Sequence, residues 1–504
     1  MNKLLLSLFI LVTTFFIFGY GKDATHTQNA IGSDVVIASI RKVQDTCIFP
    51  NDLLFLRRLA YVQSKDGNSL KSSNSGKDKS GIWQTTSAML SEVQKDENHT
   101  EIEKHFGIDL NKLSWSNGDL SIPLNDVIVA RYYANLQDHN IPLGVNAQAD
   151  YWVKNFNPSG NTKQFIVAAE DMPKCKPPGM DIIFIVDDSE SIDPHDFQNV
   201  RTFLTAIINN LKTNQANRIG IVRFNTEAYL ELNITYDFVM AHQKAHNLTH
   251  AKKLTDIGKG LKMAHQQFKQ FGRSNVPMVA VLITDGNGGD ANPVADNLKS
   301  MGVNLFTVGV GYQATHELFK WSSEPHCMFY YTLKSFDELA NSFPELLESQ
   351  ICEVSTKIHA TDYCVNGIID QNQYIFYQIP VDPITGGTIK LHMDDGSAEI
   401  YLSQTSRLPS SIDYDFSENS TIEFPAQIFI STEQLHTTEN SLSEIHTALV
   451  GTSAKSTYRL CNEKGNTIFT TTTSTMAPTT TTASSPPHEQ PDVEVHVKIN
   501  YPQP

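Results

Sequence analysis

Two uncharged apolar runs constrain this chain most: residues 182–186 (IIFIV) and 279–284 (VAVLIT). Runs of that length and composition suit strands buried on both faces of a sheet. Residues 218–224 (RIGIVRF) and 304–310 (NLFTVGV) are shorter versions. Between them, Phe197, Val200, Phe203, Leu204, Ile207, Ile208 and Leu211 recur every three or four residues, the spacing of one amphipathic helix face. Leu261, Ala264 and Phe268 repeat the pattern. Strands alternating with helices predict an α/β layer, a parallel sheet covered on both sides, over 180–352.

Each long run ends in carboxylates. The first continues as Asp187-Asp188-Ser189-Glu190-Ser191, the second as Thr284-Asp285-Gly286, and Leu254-Thr255-Asp256 opens a helix between them. Ligands of such sheets bind at the carboxyl ends of strands, near the switch in strand order. Asp187, Ser189, Ser191, Thr255 and Asp285 would then pool two carboxylates and three hydroxyls. Hard oxygen donors suit Mg²⁺ or Mn²⁺ rather than zinc or copper. Any one of these residues alone reads equally well as a helix N-cap. Asp188 and Glu190, at the intervening positions, are expected on a solvated rim, pointing away.

The pattern Asp187-x-Ser189-x-Ser191, then Thr255, then Asp285 before glycine, resembles the metal-ion-dependent adhesion site of a von Willebrand factor A domain. The resemblance spans about 180–352. It implies a Rossmann-like domain binding a divalent cation whose coordination is completed by a glutamate or aspartate of a protein partner. It also implies a disulfide between Cys175 and Cys352, which bracket the segment, although Cys327 leaves that pairing open.

The rest divides by rhythm. Residues 35–172 read as helical, and 172–180 (MPKCKPPGM) break the chain. Residues 353–465 carry short strand-like runs between turn signals, which predicts a small β-sandwich, and Cys364 and Cys461 are placed to clamp it. Residues 466–492 are Thr/Ser/Pro-rich, a disordered and O-glycosylatable linker; 493–504 hold an isolated strand-like end (VEVHVKI), so a further domain is expected beyond residue 504. Residues 1–21 pair Lys3 with an uncharged apolar stretch and a small-x-small end, the pattern of a signal peptide, with a membrane anchor as the alternative. No later stretch is apolar enough to span a bilayer.

Within 35–172, Gln63-Ser64-Lys65-Asp66-Gly67 ends a helical pattern, Gly81-Ile82-Trp83-Gln84 follows a polar loop, and Tyr151-Trp152 lies further on. This arrangement resembles the lysozyme-like fold of transglycosylase-type domains. That family places its general acid, a glutamate, where this chain has Gln63. An amide donates no titratable proton to a leaving oxygen. Asp66, about 300° further around a continued helix, is a poor substitute. The resemblance therefore implies no enzyme: a pseudo-lysozyme cleft that binds glycan, or a spacer. Trp83 reads as core, with a sugar platform as the alternative.

The chain carries 39 basic and 55 acidic residues, a formal charge of −16, with no long basic stripe, which argues against nucleic acid as a partner. Its six cysteines lack the CxxC spacing of metal sites and point to disulfides. Asn98, Asn233, Asn247 and Asn419 begin glycosylation sequons. The expected function is that of a secreted extracellular adhesion or matrix protein; a glycan-binding or defence protein is the alternative.

Overall fold

The computed structural model describes residues 21–71, 79–286, 288, 291–311, 316–435 and 443–467. The leader, nearly all of the Thr-rich stretch and the strand-like end lie outside the described residues. Among the described residues, no helix is long and apolar enough to cross a membrane.

A short strand, β1 (Lys22–Asp23), precedes a helical region. Its helices are α1 (Ser33–Asp45), α2 (Phe55–Ser64), α3 (Ser87–Lys95), α4 (Thr100–Phe106), α5 (Pro123–Gln137), α6 (Val145–Asn155) and α7 (Thr162–Asp171). A small hairpin, β2 (Lys79–Ser80) and β3 (Thr85–Thr86), lies between α2 and α3. Helix α5 is buried almost all round, through Leu124, Val127, Ile128, Val129, Ala130 and Ala134, as a central helix must be. Phe55, Tyr151, Phe156 and Phe165 pack in edge, tilted and stacked contacts beside it.

The α/β region then runs β4 (Asp181–Asp187), α8 (Pro194–Leu211), β5 (Arg218–Phe224), β6 (Ala228–Thr235), α9 (Phe238–His246), α10 (Ile257–Phe271), β7 (Met278–Thr284), α11 (Asn292–Ser300), β8 (Val303–Val310), α12 (His316–Trp321), α13 (His326–Phe329), β9 (Tyr330–Leu333), α14 (Phe336–Asn341) and α15 (Phe343–Gln350). The sheet order is β6-β5-β4-β7-β8-β9. All neighbours are parallel except β6, which runs antiparallel to β5. The parallel expectation fails at that edge because only residues 225–227 join β5 to β6, closed by the Asn225 N–H to Glu227 carbonyl bond. A parallel crossover needs a dozen residues or more.

Alternate residues of β4 feed two cores. Ile182, Phe184 and Val186 face α8, α9, α14 and α15; Ile183 and Ile185 face α10 and α11. Helix α8 starts at Asp193, whose carboxylate accepts the Asp196 N–H, with Pro194 in its first turn. Such a cap contributes about 1 kcal/mol. Helix α10 approaches the sheet so closely at Gly260 that a Cβ there would lie 2.7 Å from the Phe224 ring. Strand order reverses between β4 and its neighbours β5 and β7, so the switch point lies beside the ends of β4 and β7.

The last region pairs two sheets. β10 (Ser355–Lys357), β12 (Tyr374–Val381), β18 (Ser443–Gly451), β14 (Ser397–Ser403) and β16 (Phe416–Thr421) form one; β11 (Tyr363–Asp370), β19 (Lys455–Lys464), β13 (Gly387–Asp395) and β17 (Ala426–Ile430) form the other. Their inner faces meet in an apolar core that also buries the Tyr377–Tyr458 hydroxyl pair, 2.6 Å apart. A short strand, β15 (Asp413–Tyr414), pairs with β1.

The six cysteines form three disulfides: Cys47–Cys327, Cys175–Cys352 and Cys364–Cys461. The first joins α1's end to the α/β region. An ion pair, Arg58–Glu345 at 2.8 Å, adds to that junction, while Arg41–Glu353 at 3.1 Å and Asp45–Arg407 at 3.0 Å tie α1 to the segment after α15 and to the last region. The three regions pack as one compact unit.

Candidate functional site

The ends of β4 and β7 place their polar side chains on one rim. Asp187 Oδ1 accepts the Ser189 N–H at 2.9 Å, and Oδ2 accepts the Thr284 hydroxyl at 2.6 Å. Ser189 Oγ and Ser191 Oγ are 2.9 Å apart, and Ser191 donates to Asp285 Oδ1 at 3.0 Å. Asp187, Ser189, Ser191 and Asp285 thus form one hydrogen-bonded chain. Thr255 adjoins it through its loop: a Cβ on Gly288, just past Asp285, would lie 2.7 Å from Thr255 Cγ2, and Ile257 N–H donates to the Gly288 carbonyl. The Thr255 hydroxyl bonds to none of the other four.

The electrostatics of this rim are uncompensated. Asp187 is 1 % exposed, and burial pushes its carboxyl up to about 6. Burial also raises Asp285. Among the described residues, neither carboxylate forms an ion pair with Lys, Arg or His. Two desolvated carboxylates with hydroxyl neighbours and no cation fit a hard divalent ion, whose charge would offset both.

Asp188 is not on a solvated rim. It is fully buried, paired with the Arg223 guanidinium, and its carboxylate accepts the Ala251 N–H at 3.0 Å. Arg223 in turn holds Glu231 at 2.8 Å and lies over the Tyr229 ring. The reason is the strand pairing: β4 and β5 lie side by side, so Arg223 meets the residue just past Asp187. Further bonds staple the 250–256 loop to the first one, Glu190 N–H to Lys253 O at 2.9 Å and Lys252 N–H to Asp188 O at 3.1 Å. His250 stacks on Phe197 and reaches the Ser189 carbonyl. Glu190 is exposed, as expected. Thr284 and Asp188 are the residues that the sequence reading missed; Thr284 was signalled by its place beside Asp285 at a strand end.

In the helical region the carboxylates are already satisfied. Helix α2 ends at Ser64, and the backbone turns left-handed at Lys65 and Asp66. Gln63 is half-buried. Asp66 is buried and held by both Arg57 nitrogens, at 2.5 and 3.0 Å. Trp83 is fully buried, its indole N–H donating to the Leu56 carbonyl at 2.9 Å, which makes it core. Buried Asp126 accepts the Trp83 N–H and the Thr85 hydroxyl; desolvation pushes it up to about 7. A cavity of about 340 Å³ adjoins this turn, lined by Ile31, Lys79, Ser80, Gly81 and Gln84 among others.

A parallel sheet between two helical layers, carrying an oxygen-rich rim at its switch point, defines a class of α/β binding domain. Residues 181–345 match one family of that class and are a von Willebrand factor type A domain. Over this part the chain is 29 % identical to Matrilin-2 of Mus musculus across 194 residues, 36 % of this chain and 20 % of the relative. It is 31 % identical to the Collagen alpha-4(VI) chain of Mus musculus across 196 residues, 36 % of this chain and 8 % of the relative. The chain therefore spans a minor part of each relative's length. Among solved structures, proximal thread matrix protein 1 from the mussel byssus, with a zinc-occupied MIDAS motif, aligns at 20 % identity over 39 % of this chain and 50 % of that one, with a TM-score of 0.33.

Proposed function

We propose that this chain is a secreted adhesion or matrix protein whose A domain engages a protein partner through a divalent cation, Mg²⁺ or Mn²⁺. The observation that carries this reading is the hydrogen-bonded chain from Asp187 through Ser189 and Ser191 to Asp285, with two carboxylates and no cationic side chain paired to either among the described residues. Asp187, Ser189, Ser191, Thr255 and Asp285 would hold the ion, and an Asp or Glu side chain of the partner would complete its coordination. A bound ion supplies positive charge at an otherwise acidic rim. The chain's own residues do the positioning. Thr284 orients Asp187, while Asp188 and Arg223 keep the 250–256 loop against the first loop.

An extracellular setting is supported by the three disulfides and the exposed sequon asparagines, since disulfides persist in oxidising compartments. The matrilin and collagen relatives over the A domain point the same way. The helical region reads as a lysozyme-like domain without hydrolytic activity, with an amide at the acid position and Asp66 committed to Arg57. The cavity beside Gly81 favours glycan binding as a second reading for that region.

The test is calorimetric titration with Mn²⁺, followed by passage of extracellular extract over the immobilised chain in Mg²⁺ and elution with EDTA. The wild type should bind one ion and release a partner into EDTA; Asp187→Ala should do neither. Unchanged Mn²⁺ affinity in that variant would remove the site assignment.

A further inference from the structure

The α/β sheet has two edges of unequal exposure to strand pairing. At one, β9 has four residues; at the other, β6 has eight and, among the described residues, pairs with no strand beyond β5. An open edge offers unpaired N–H and C=O groups to any other strand, and proteins blunt such edges with Lys, Pro, bulges or covers. The sequence of β6, AYLELNIT, has neither Lys nor Pro, and its one charge, Glu231, is held by Arg223; of the usual devices it has only the two register shifts against β5. Next to it stands an apolar surface: Leu230 is 38 % exposed, Tyr236 53 %, Val239 70 % and Met240 44 %.

Two sequons flank this surface. Asn233 lies within β6, at a bulge where Asn233 and Ile234 together oppose Gly220. Asn247 follows the last residue of α9, the helix carrying Val239 and Met240. Both side chains are exposed, and neither makes a hydrogen bond among the described residues. Asn98 differs, because its Nδ2 donates to Asp96 at 2.9 Å. A bulky polar glycan needs an asparagine exposed on the folded surface.

We propose that Asn233 and Asn247 carry N-linked glycans that cover the open β6 edge and the apolar face beside it, leaving the oxygen-rich rim as the A domain's partner surface. This rests on the extracellular reading above. The donor is a lipid-linked oligosaccharide pyrophosphate. The bond from the sugar's anomeric carbon to the pyrophosphate oxygen breaks, a bond from that carbon to the Asn Nδ2 forms, the lipid pyrophosphate leaves, and one amide proton is lost to solvent. The glycan then supplies what the strand lacks: hydrated bulk at mid-edge.

The experiment uses the full chain expressed in eukaryotic cells. Its appearance in the medium tests secretion separately. Peptide mass spectrometry of the secreted chain should find glycan on Asn233 and Asn247. Enzymatic removal from the folded protein, which leaves aspartate, should raise the self-associated fraction several-fold by light scattering, and Val239→Glu with Met240→Lys should suppress that rise. A secreted chain bare at both asparagines would overturn the proposal. So would deglycosylation that leaves association unchanged, or association that persists in the Val239→Glu, Met240→Lys variant.

Discussion

The rim of the A domain and the α2 end of the helical region both hold shielded carboxylates where a strand or a helix gives way to a loop, yet they differ in what balances the charge. Asp66 is neutralised from within, by Arg57 nine residues earlier on α2. Asp187 and Asp285 have hydroxyls and backbone N–H groups around them and, among the described residues, no cationic side chain paired to either. Burying a carboxylate is costly unless it is paired. The first site is therefore complete as it stands, and the second remains open to an ion from outside. Within one chain, the same residue type serves structure in one place and is available for binding in the other.

The largest expected effect breaks the open site. Asp187→Ala should abolish cation binding in calorimetry and leave the circular dichroism spectrum unchanged, because the residue caps a strand end and is not part of the apolar core. Next comes the closed site. Arg57→Ala strands Asp66 without a partner and should cost about 3–5 kcal/mol in denaturant unfolding. The double variant Arg57→Ala, Asp66→Ala should recover part of that loss.

A smaller effect is set by pH. Asp187 titrates at about 6, above its unfolded value near 3.8, because burial disfavours its charge. A cation must displace that proton, so its affinity should fall by about tenfold per pH unit below about 6. The metal-free chain responds in the opposite sense. The raised value means that the group's contribution to stability is full below its unfolded pKa and is lost as pH rises through about 6, about 3 kcal/mol in all. Unfolding curves at pH 4.5 and 7.5 (about two units apart or more), with and without Mn²⁺, check both signs. The smallest effect is expected at Gln63. Gln63→Glu should give at most trace hydrolysis of peptidoglycan, measured by turbidity, since Asp66 stays bound to Arg57.

The α/β layer was legible because its signals are local. Apolar runs of five or six residues, seven helical positions on α8 and carboxylates at strand ends need no knowledge of what lies across the sheet. The four linked rim residues were legible for the same reason. Asp188 was not, because its environment is made by Arg223, 35 residues later, and only the β4–β5 register brings them together. The β6 hairpin was missed because a three-residue turn sits inside a stretch that otherwise reads as βα alternation. Cysteine spacing likewise held no hint that Cys47 would reach Cys327, a pairing made by the packing of two regions.

That pairing also bears on tension. Pulled from its two ends, the chain cannot release the loop closed by Cys47 and Cys327, 280 positions apart, or that closed by Cys364 and Cys461, 97 positions apart, while the disulfides hold. At roughly 3.4 Å per extended residue, the first loop alone withholds about 950 Å of contour length. Force applied along the backbone therefore bypasses strands β4 to β8, two of which end in the oxygen-rich rim, and loads β9, which follows Cys327.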